Sequence, residues 1–216
     1  MESNYGMATG SYEQERDDWR SAVERARSEG WRFLELTAIR DSLLLTLREF
    51  LELGQEPLSA FERVSLHAPI RADSREVIVE MIARLPLNGD VIFHPDFWGE
   101  KQALHLLGAR AVFENMDVGK TFGRSVADLQ AVFGFHPSAG FCLDVAHVWT
   151  NDPTLALGHE LLNAFGDRLR QLHVSGIEPD GTHRPTTQAD LQLYRPLLER
   201  CGSVPWILEA VVTPGV

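Results

Sequence analysis

Residues 110–147, RAVFENMDVGKTFGRSVADLQAVFGFHPSAGFCLDVAH, contain the repeating unit from which we predict the fold of this chain. Two short apolar runs, Arg110–Glu114 and Gly140–Asp144, end in acidic residues, and the amphipathic stretch Ser125–Phe133 lies between them. Short apolar runs are typical of buried strands, and the longer stretch has the spacing of a helix. The unit is therefore a strand, a helix and a second strand, with a polar side chain where each strand ends.

The same alternation continues in both directions along the 216 residues. It predicts seven helices between eight strands, which are Tyr5–Gly10, Arg32–Ala38, Arg63–His67, Asp90–His94, Arg110–Glu114, Gly140–Asp144, Arg168–Val174 and Pro205–Val212. Strict alternation favours a parallel sheet, and eight units is the number in a (β/α)8 TIM barrel. An open doubly wound sheet is the alternative, but it usually has fewer strands. No linker-like segment interrupts the pattern, so residues 1–216 are predicted to form a single α/β domain.

A helix after the eighth strand is expected to be absent, because only four residues follow Val212. The outer faces of the first and last strands would then lack cover at the apolar positions Leu208, Ala210 and Val212. An uncovered apolar stripe usually marks an interface. We expect a homo-oligomer contact there, or the N-terminal segment folded back over it. A chain cut short of its natural end is the other explanation.

Composition limits the classes of partner and compartment. The chain has 20 Lys+Arg against 31 Asp+Glu, a formal net charge of −11. This balance disfavours nucleic acid as a partner and leaves a small molecule as the expected substrate. No apolar run approaches the ~20 residues that span a membrane, and the acidic N-terminus does not resemble a signal peptide. Two cysteines, Cys142 and Cys201, cannot form a disulfide framework, so a cytoplasmic location is predicted.

Six predicted strands end in side chains that bind metal ions, and a further histidine follows three residues after the sixth: His67, His94, Glu114, Asp144, His173 and Glu209, with His147. In a barrel, the carboxyl ends of the strands converge on one face. Imidazoles and carboxylates together suit Mn, Zn, Fe or Co, and carboxylate-rich sites also accept Mg. Crowded carboxylates repel one another unless a cation compensates them. We therefore predict a divalent metal site, with the metal left open among these five.

Six motifs in order along the chain resemble the xylose isomerase-like (endonuclease IV-like) TIM-barrel superfamily: SLHAP at 65–69, FHP at 93–95, FEN at 113–115, LDVAH at 143–147, LHVS at 172–175 and LE at 208–209. Resemblance to its sugar isomerases and epimerases implies one metal ion held by Glu114, Asp144, His173 and Glu209. It also implies that Glu114 and Glu209 form an acid–base pair.

Resemblance to endonuclease IV in the same superfamily implies further metal ligands at His67, His94, His147 and one late histidine. The late motif departs from the Asp-x-His of the nucleases, because this chain has Asp180-Gly-Thr-His183 in its place. His183 is the candidate for the late position, where it would bind a further metal ion or the substrate.

Four other side chains are candidates for substrate contact: Glu35, Trp98, Lys120 and Trp149. Glu35 either orients substrate hydroxyl groups at the pocket mouth or pairs with a neighbouring arginine. The two tryptophans follow His94 and His147, where they either stack on the substrate or anchor loops against the barrel. Lys120 either meets an anionic substrate or is a solvated loop cation.

Three functions remain open. The one that the sequence favours is a metal-dependent isomerase or epimerase of a sugar or related polyhydroxy carbonyl compound. In it, Glu114 and Glu209 move a proton while the metal stabilises an enediolate. The second is a multi-metal phosphodiesterase or AP endonuclease-like hydrolase, supported by the extra histidines and disfavoured by the acidic charge. The third is a non-catalytic or specialised metal-binding barrel. The number of metal ions distinguishes the first two, because only the hydrolase needs ions at His67 and His94.

Overall fold

The barrel predicted from the sequence is present. A computed structural model describes residues 4–15, 17–54, 56–70, 74–178 and 182–209. Its eight parallel strands are β1 (Tyr5–Ala8), β2 (Phe33–Thr37), β3 (Arg63–His67), β4 (Val91–Phe93), β5 (Ala111–Glu114), β6 (Gly140–Asp144), β7 (Leu169–Val174) and β8 (Trp206–Leu208). Each strand pairs with its neighbours in sequence, and β8 pairs with β1, which closes the ring. This closure rules out the open doubly wound sheet.

Eight α-helices lie in the described ranges, one more than the seven predicted: α1 (Trp19–Ser28), α2 (Ser42–Glu52), α3 (Arg75–Ala83), α4 (Lys101–His105), α5 (Val126–Phe135), α6 (Val145–Asn151), α7 (Ala156–Phe165) and α8 (Gln188–Leu198). The additional helix is α6, which begins directly after β6. The Asp144 side chain caps it by accepting a hydrogen bond from the backbone N–H of His147 at 2.7 Å. The Asp-x-x-His motif is therefore the start of a helix. Interpreted only as a pair of metal ligands, the motif does not predict this helix.

The predicted end of the last strand is outside the described residues. The structure follows the chain through β8 to Glu209, so Ala210, Val212 and the expected absence of a final helix cannot be compared with it. The outward side chains of β8 that are described, Trp206 and Leu208, are half-buried. Trp206 contacts the ring of Tyr5 on β1 edge-on, at 5.4 Å between ring centroids.

Alternation along the strands sorts side chains between the helix layer and the barrel interior. Phe113 and Phe141 face outward, where both contact Phe133 of α5 edge-on. The residues next to outward-facing ones point inward, and three of them form a small apolar cluster: Ile92, Val112 and Cys142. Two positions further along the same strands, the inward-facing residues are polar. The interior therefore changes from apolar to polar towards the carboxyl ends of β4, β5 and β6.

None of the helices in the described ranges is both long enough and apolar enough to cross a membrane.

Candidate metal centre

The predicted ligands surround one cavity at the carboxyl end of the barrel. The cavity has a volume of about 340 Å³. Six of the predicted residues line it: His67, His94, Glu114, His147, His183 and Glu209. Asp144 and His173 are fully buried beside them. The residues at the predicted strand ends therefore lie close together, because six strands of the barrel contribute to a single polar centre.

Glu114 lies in the middle of this centre and contacts histidines through both carboxylate oxygens. Its Oε1 is 3.0 Å from His94 Nε2 and 3.8 Å from His67 Nε2. Its Oε2 is 2.9 Å from His173 Nδ1. The same nitrogen of His173 lies 3.3 Å from Glu209 Oε1. One carboxylate thus joins the histidines of β3 and β4 to the histidine of β7.

Asp144 is held by its neighbours in a way that leaves one carboxylate oxygen available. The amide side chain of Asn115 accepts from the Asp144 N–H and donates to the Asp144 carbonyl, both at 2.9 Å. Asp144 Oδ1 caps α6, and Oδ2 lies 3.5 Å from His147 Nδ1. His147 Nε2 in turn lies 3.2 Å from His183 Nε2. These contacts form a second cluster beside the one around Glu114.

Backbone carbonyls determine which nitrogen two of the histidines present to the centre. His67 Nδ1 is 2.8 Å from the carbonyl oxygen of Ala68, and His147 Nδ1 is 2.9 Å from that of Asn115. Because a carbonyl only accepts, Nδ1 carries the proton in both neutral rings. The other nitrogen, Nε2, faces Glu114 in His67 and His183 in His147, and it is the one that could bind a metal ion when the ring is neutral. Such partners are typical of metal-binding histidines.

The donor atoms fall into several groups whose members lie within 4.8 Å of one another. Among the described residues these groups are His67/His94/Glu114, His67/His173/Glu209, Glu114/Cys142/His173 and Asp144/His147/His183. The four residues implied to share one ion are therefore divided. Glu114, His173 and Glu209 belong to overlapping groups, whereas Asp144 belongs with His147 and His183.

The donor set fits divalent metal ions. Three buried side-chain atoms of this centre make no hydrogen bond in the described chain: Glu114 Oε2, Asp144 Oδ2 and His173 Nδ1, although Glu114 Oε2 and His173 Nδ1 approach each other as an ion pair at 2.9 Å. A buried polar atom without a partner costs about 1–3 kcal/mol, so native proteins rarely leave one unsatisfied. All three belong to residues predicted as ligands, and a cation would satisfy them. Carboxylate and imidazole donors together match Zn, Mn, Fe or Co.

Proton affinities in the centre reflect crowded charge. Burial raises the pKa of Glu209 to about 8. Burial alone would lower the pKa of His67, but Glu114 outweighs it and raises that pKa to about 9. Burial alone would raise the pKa of Glu114, but His94, His173 and His67 hold it well below its usual range. Without a cation, protonated imidazoles thus compensate the carboxylates, and metal binding must release these protons.

The four residues predicted to contact substrate have different positions. Lys120 is exposed and lines the cavity, a position that is compatible with both of its predicted roles. Trp98 packs outside it, with ring centroids 5.7 Å from Phe122 and 4.9 Å from Phe135, so it anchors its loop. Trp149 on α6 is half-buried against the main hydrophobic core and does not line the cavity either. The two tryptophans therefore take the loop-anchoring role that the sequence left open.

Glu35 lies neither at the pocket mouth nor beside an arginine of the described chain, the two positions that the sequence leaves open for it. It is fully buried inside the barrel, below the cavity, where Oε2 is 3.1 Å from His173 Nε2. Alternation along β2 correctly predicts that it faces inward. Its depth does not follow from the pattern, because depth depends on the stagger of β2 against its neighbours.

Two contributors to the centre are not identified from the sequence. Asn115 clamps Asp144 and orients His147, and its only signal is a polar side chain directly after Glu114. Gln171 lies two residues before His173 and therefore faces the same interior, where it donates to Glu35 Oε2 at 2.6 Å. Period-two spacing from a ligand would have found it.

Comparison with models of known protein families and with curated proteins finds no match. Solved structures are similar over nearly the whole chain. Endonuclease IV from Thermus thermophilus is 19% identical with a TM-score of 0.61, over 97% of this chain and 93% of that one. D-psicose 3-epimerase from Clostridium cellulolyticum is 12% identical with a TM-score of 0.63, over 98% and 86%.

A third similar structure is a xylose isomerase-like TIM barrel protein from Mycobacterium smegmatis in complex with magnesium. It is 13% identical with a TM-score of 0.55, over 91% of this chain and 83% of that one. These similarities show that the chain has the fold of the xylose isomerase-like TIM barrels, as its motifs predict. At such identities they establish the fold, and the reaction has to be argued from the site.

Proposed function

We propose that this protein is a multi-metal hydrolase that acts on small phosphate esters. One observation carries the proposal: the ligands form adjoining groups and do not converge on one point. A one-ion isomerase needs the four ligands Glu114, Asp144, His173 and Glu209. It does not need His67, His94, His147 and His183 as ligands, yet these histidines complete the groups around Glu114 and Asp144.

The residues are arranged to hold more than one cation. Glu114 offers one oxygen to the His67/His94 side and the other to the His173 side. On the opposite side, Asp144 keeps Oδ2 free while Oδ1 caps α6. Neighbouring divalent ions can clamp the attacking and leaving oxygens of an in-line displacement at phosphorus. The contribution of the chain is to fix these donors in position before substrate arrives.

The cavity favours a small anionic substrate. Its volume of about 340 Å³ suits a small molecule. Lys120 lines it and supplies a positive charge for a phosphate oxygen, and Ile39, Ile70 and Met116 supply apolar wall. A formal net charge of −11 disfavours a long polyanion such as DNA. We therefore propose a small phosphate ester as the substrate, with an abasic duplex as the alternative to be tested.

The experiment is metal analysis of the purified protein, paired with assays on p-nitrophenyl phosphate esters, an abasic duplex and a ketose panel. We expect more than one ion per chain and turnover of the phosphate esters. The variant His94→Gln should lose part of the bound metal and most of the activity. The matched control is His105→Gln on the exposed face of α4, which should change neither.

A metal-dependent isomerase or epimerase is the second candidate, and a specific contact favours it. Glu114 and Glu209 both approach His173 Nδ1, at 2.9 and 3.3 Å. Burial raises the pKa of Glu209 to about 8, which suits a group that accepts and returns a proton near neutral pH. One ion per chain with ketose turnover would establish this candidate. Bound metal without turnover of any of these substrates would favour the non-catalytic barrel.

A further inference from the structure

Beneath the metal centre, the barrel interior carries an unusual polar cluster. The next layer of inward-facing side chains is apolar on β4 and β5, where Ile92 and Val112 lie. On β2, β3 and β7 the corresponding residues are Glu35, Ser65 and Gln171, all of them buried. A carboxylate in the middle of a barrel is costly to desolvate unless its partners compensate it. Its retention there calls for a role.

The contacts of Glu35 converge on one oxygen. Oε2 accepts from Gln171 Nε2 at 2.6 Å and from Ser65 Oγ at 3.3 Å. The same oxygen lies 3.1 Å from His173 Nε2. Ser65 and Gln171 therefore hold the carboxylate against the imidazole from two strands on opposite sides of the barrel.

We infer that Glu35 is a positioning residue that fixes the tautomer and the ring orientation of His173. This inference rests on the proposed metal-binding function. Gln171 Nε2 also lies 2.9 Å from His173 Nε2 and could donate to it, but the ionised carboxylate only accepts hydrogen bonds, and its negative charge favours the tautomer that has the proton on Nε2. Nδ1, which lies 2.9 and 3.3 Å from Glu114 Oε2 and Glu209 Oε1, is then the nitrogen that can bind a metal ion once the ring is neutral. Glu35 thus selects the nitrogen that can bind a metal ion.

His173 differs from the other oriented histidines in the charge of its partner. His67 and His147 are oriented by neutral backbone carbonyls, those of Ala68 and Asn115. A carboxylate partner makes an imidazole a more basic ligand than a carbonyl does, and loss of such a partner typically weakens metal binding about 10–100-fold. The ions that depend on His173 should therefore depend on Glu35, although Glu35 touches neither the cavity nor the ions.

The test is a metal titration of Glu35→Gln, which preserves volume and removes the charge. Chelator competition measures the Zn²⁺ affinity separately for each equivalent of metal bound per chain. We expect the affinity of the equivalents that use His173 to fall about 10–100-fold. The affinity of the equivalent at Asp144, His147 and His183 should remain near wild type. The visible spectrum of the Co²⁺-loaded protein should change for the weakened equivalents only. Glu80→Gln on α3, which removes the charge of a carboxylate that pairs with Arg84 in the outer layer, is the matched control and should stay close to wild type.

The outcomes separate this inference from the function on which it rests. If the wild-type protein binds no Zn²⁺, the proposed function fails. If the wild type binds Zn²⁺ and Glu35→Gln binds every equivalent as tightly, the positioning role is overturned while the function stands. Uniform weakening of all equivalents, together with a lower unfolding temperature of the metal-free protein, would assign Glu35 a merely structural role. Should Glu35→Gln not fold, Glu35→Asp keeps the charge but withdraws it from His173, and unchanged affinity there would overturn the inference.

Discussion

At the scale of single residues, the centre depends on partners that are not themselves ligands. Asn115 forms two hydrogen bonds with the backbone of Asp144, and its own carbonyl orients His147. It is almost completely buried, so water cannot replace those bonds. The side chain of Asn115 therefore stabilises β6 against β5 and positions Asp144, while the backbone carbonyl of the same residue orients His147.

We expect Asn115→Ala to destabilise the metal-free protein by about 1–3 kcal/mol, because it removes two buried hydrogen bonds and leaves the Asp144 N–H without its side-chain partner. Urea unfolding of the wild type and the variant measures this difference. Metal affinity at the Asp144/His147/His183 group should fall in parallel. Asn151→Ala on α6, whose side chain donates to the carbonyls of Met116 and His147, is a half-buried comparison that should cost less. Equal, small losses in the two variants would contradict the role assigned to Asn115.

The convergence of the candidate ligands is largely predictable from the sequence, because strand ends in a barrel converge by topology. His67, His94, Glu114, His173 and Glu209 each follow that rule. The division into groups is not predictable, because distances between side chains depend on strand stagger and on α6, which turns His147 towards His183. The depth of Glu35 and the outward packing of Trp98 are missed for the same reason.

At the scale of secondary structure elements, α8 shows how local contacts stabilise the outer layer. Thr187 and Asp190 form a capping box at its start. The Asp190 carboxylate also accepts from both terminal nitrogens of Arg184, at 2.7 and 2.9 Å. Burial alone would raise the pKa of Asp190, but Arg184 and Thr187 outweigh it and lower that pKa to about 2. The start of α8 is therefore stabilised by an ionised carboxylate.

This arrangement predicts a pH-dependent stability. A carboxyl group whose pKa is lower in the folded state stabilises the protein above its unfolded pKa of about 3.9. That contribution is lost as the pH falls through the folded value of about 2. The variant Asp190→Asn should therefore be less stable than the wild type near neutral pH, and the difference should shrink on acidification. Urea unfolding of both proteins across this range is the measurement, and a difference that grows towards acid would contradict the account.

Helices and strands are recovered well by hydrophobic periodicity, with boundaries that differ by a few residues. One exception is α6, because its Asp144–His147 motif is a helix cap and a candidate ligand pair at once. The other is a short antiparallel pair of strands, Gly176–Ile177 and His183–Arg184, which carries His183. Helix α4 is short, and 3₁₀ segments flank it at Pro95–Phe97 and Gly108–Arg110. Periodicity does not distinguish such turns from α-helix.

At the scale of the whole molecule, the expected homo-oligomer remains a prediction. The observation that supports it is the half-buried pair Tyr5 and Trp206 on the outer faces of β1 and β8, beside half-buried Leu208. Association through this face predicts that Leu208→Arg shifts the protein to a smaller species in sedimentation velocity at micromolar concentration. A wild-type protein that is strictly monomeric there would contradict the prediction.

The central claim is that adjoining ligand groups give this barrel more than one metal ion, and metal content per chain tests it most directly. The protein is reconstituted with Zn²⁺, freed of weakly bound ions by gel filtration, and analysed by plasma mass spectrometry beside His94→Gln and His105→Gln. The account predicts more than one ion in the wild type and in His105→Gln, and fewer in His94→Gln. A single ion that His94→Gln retains in full would contradict it.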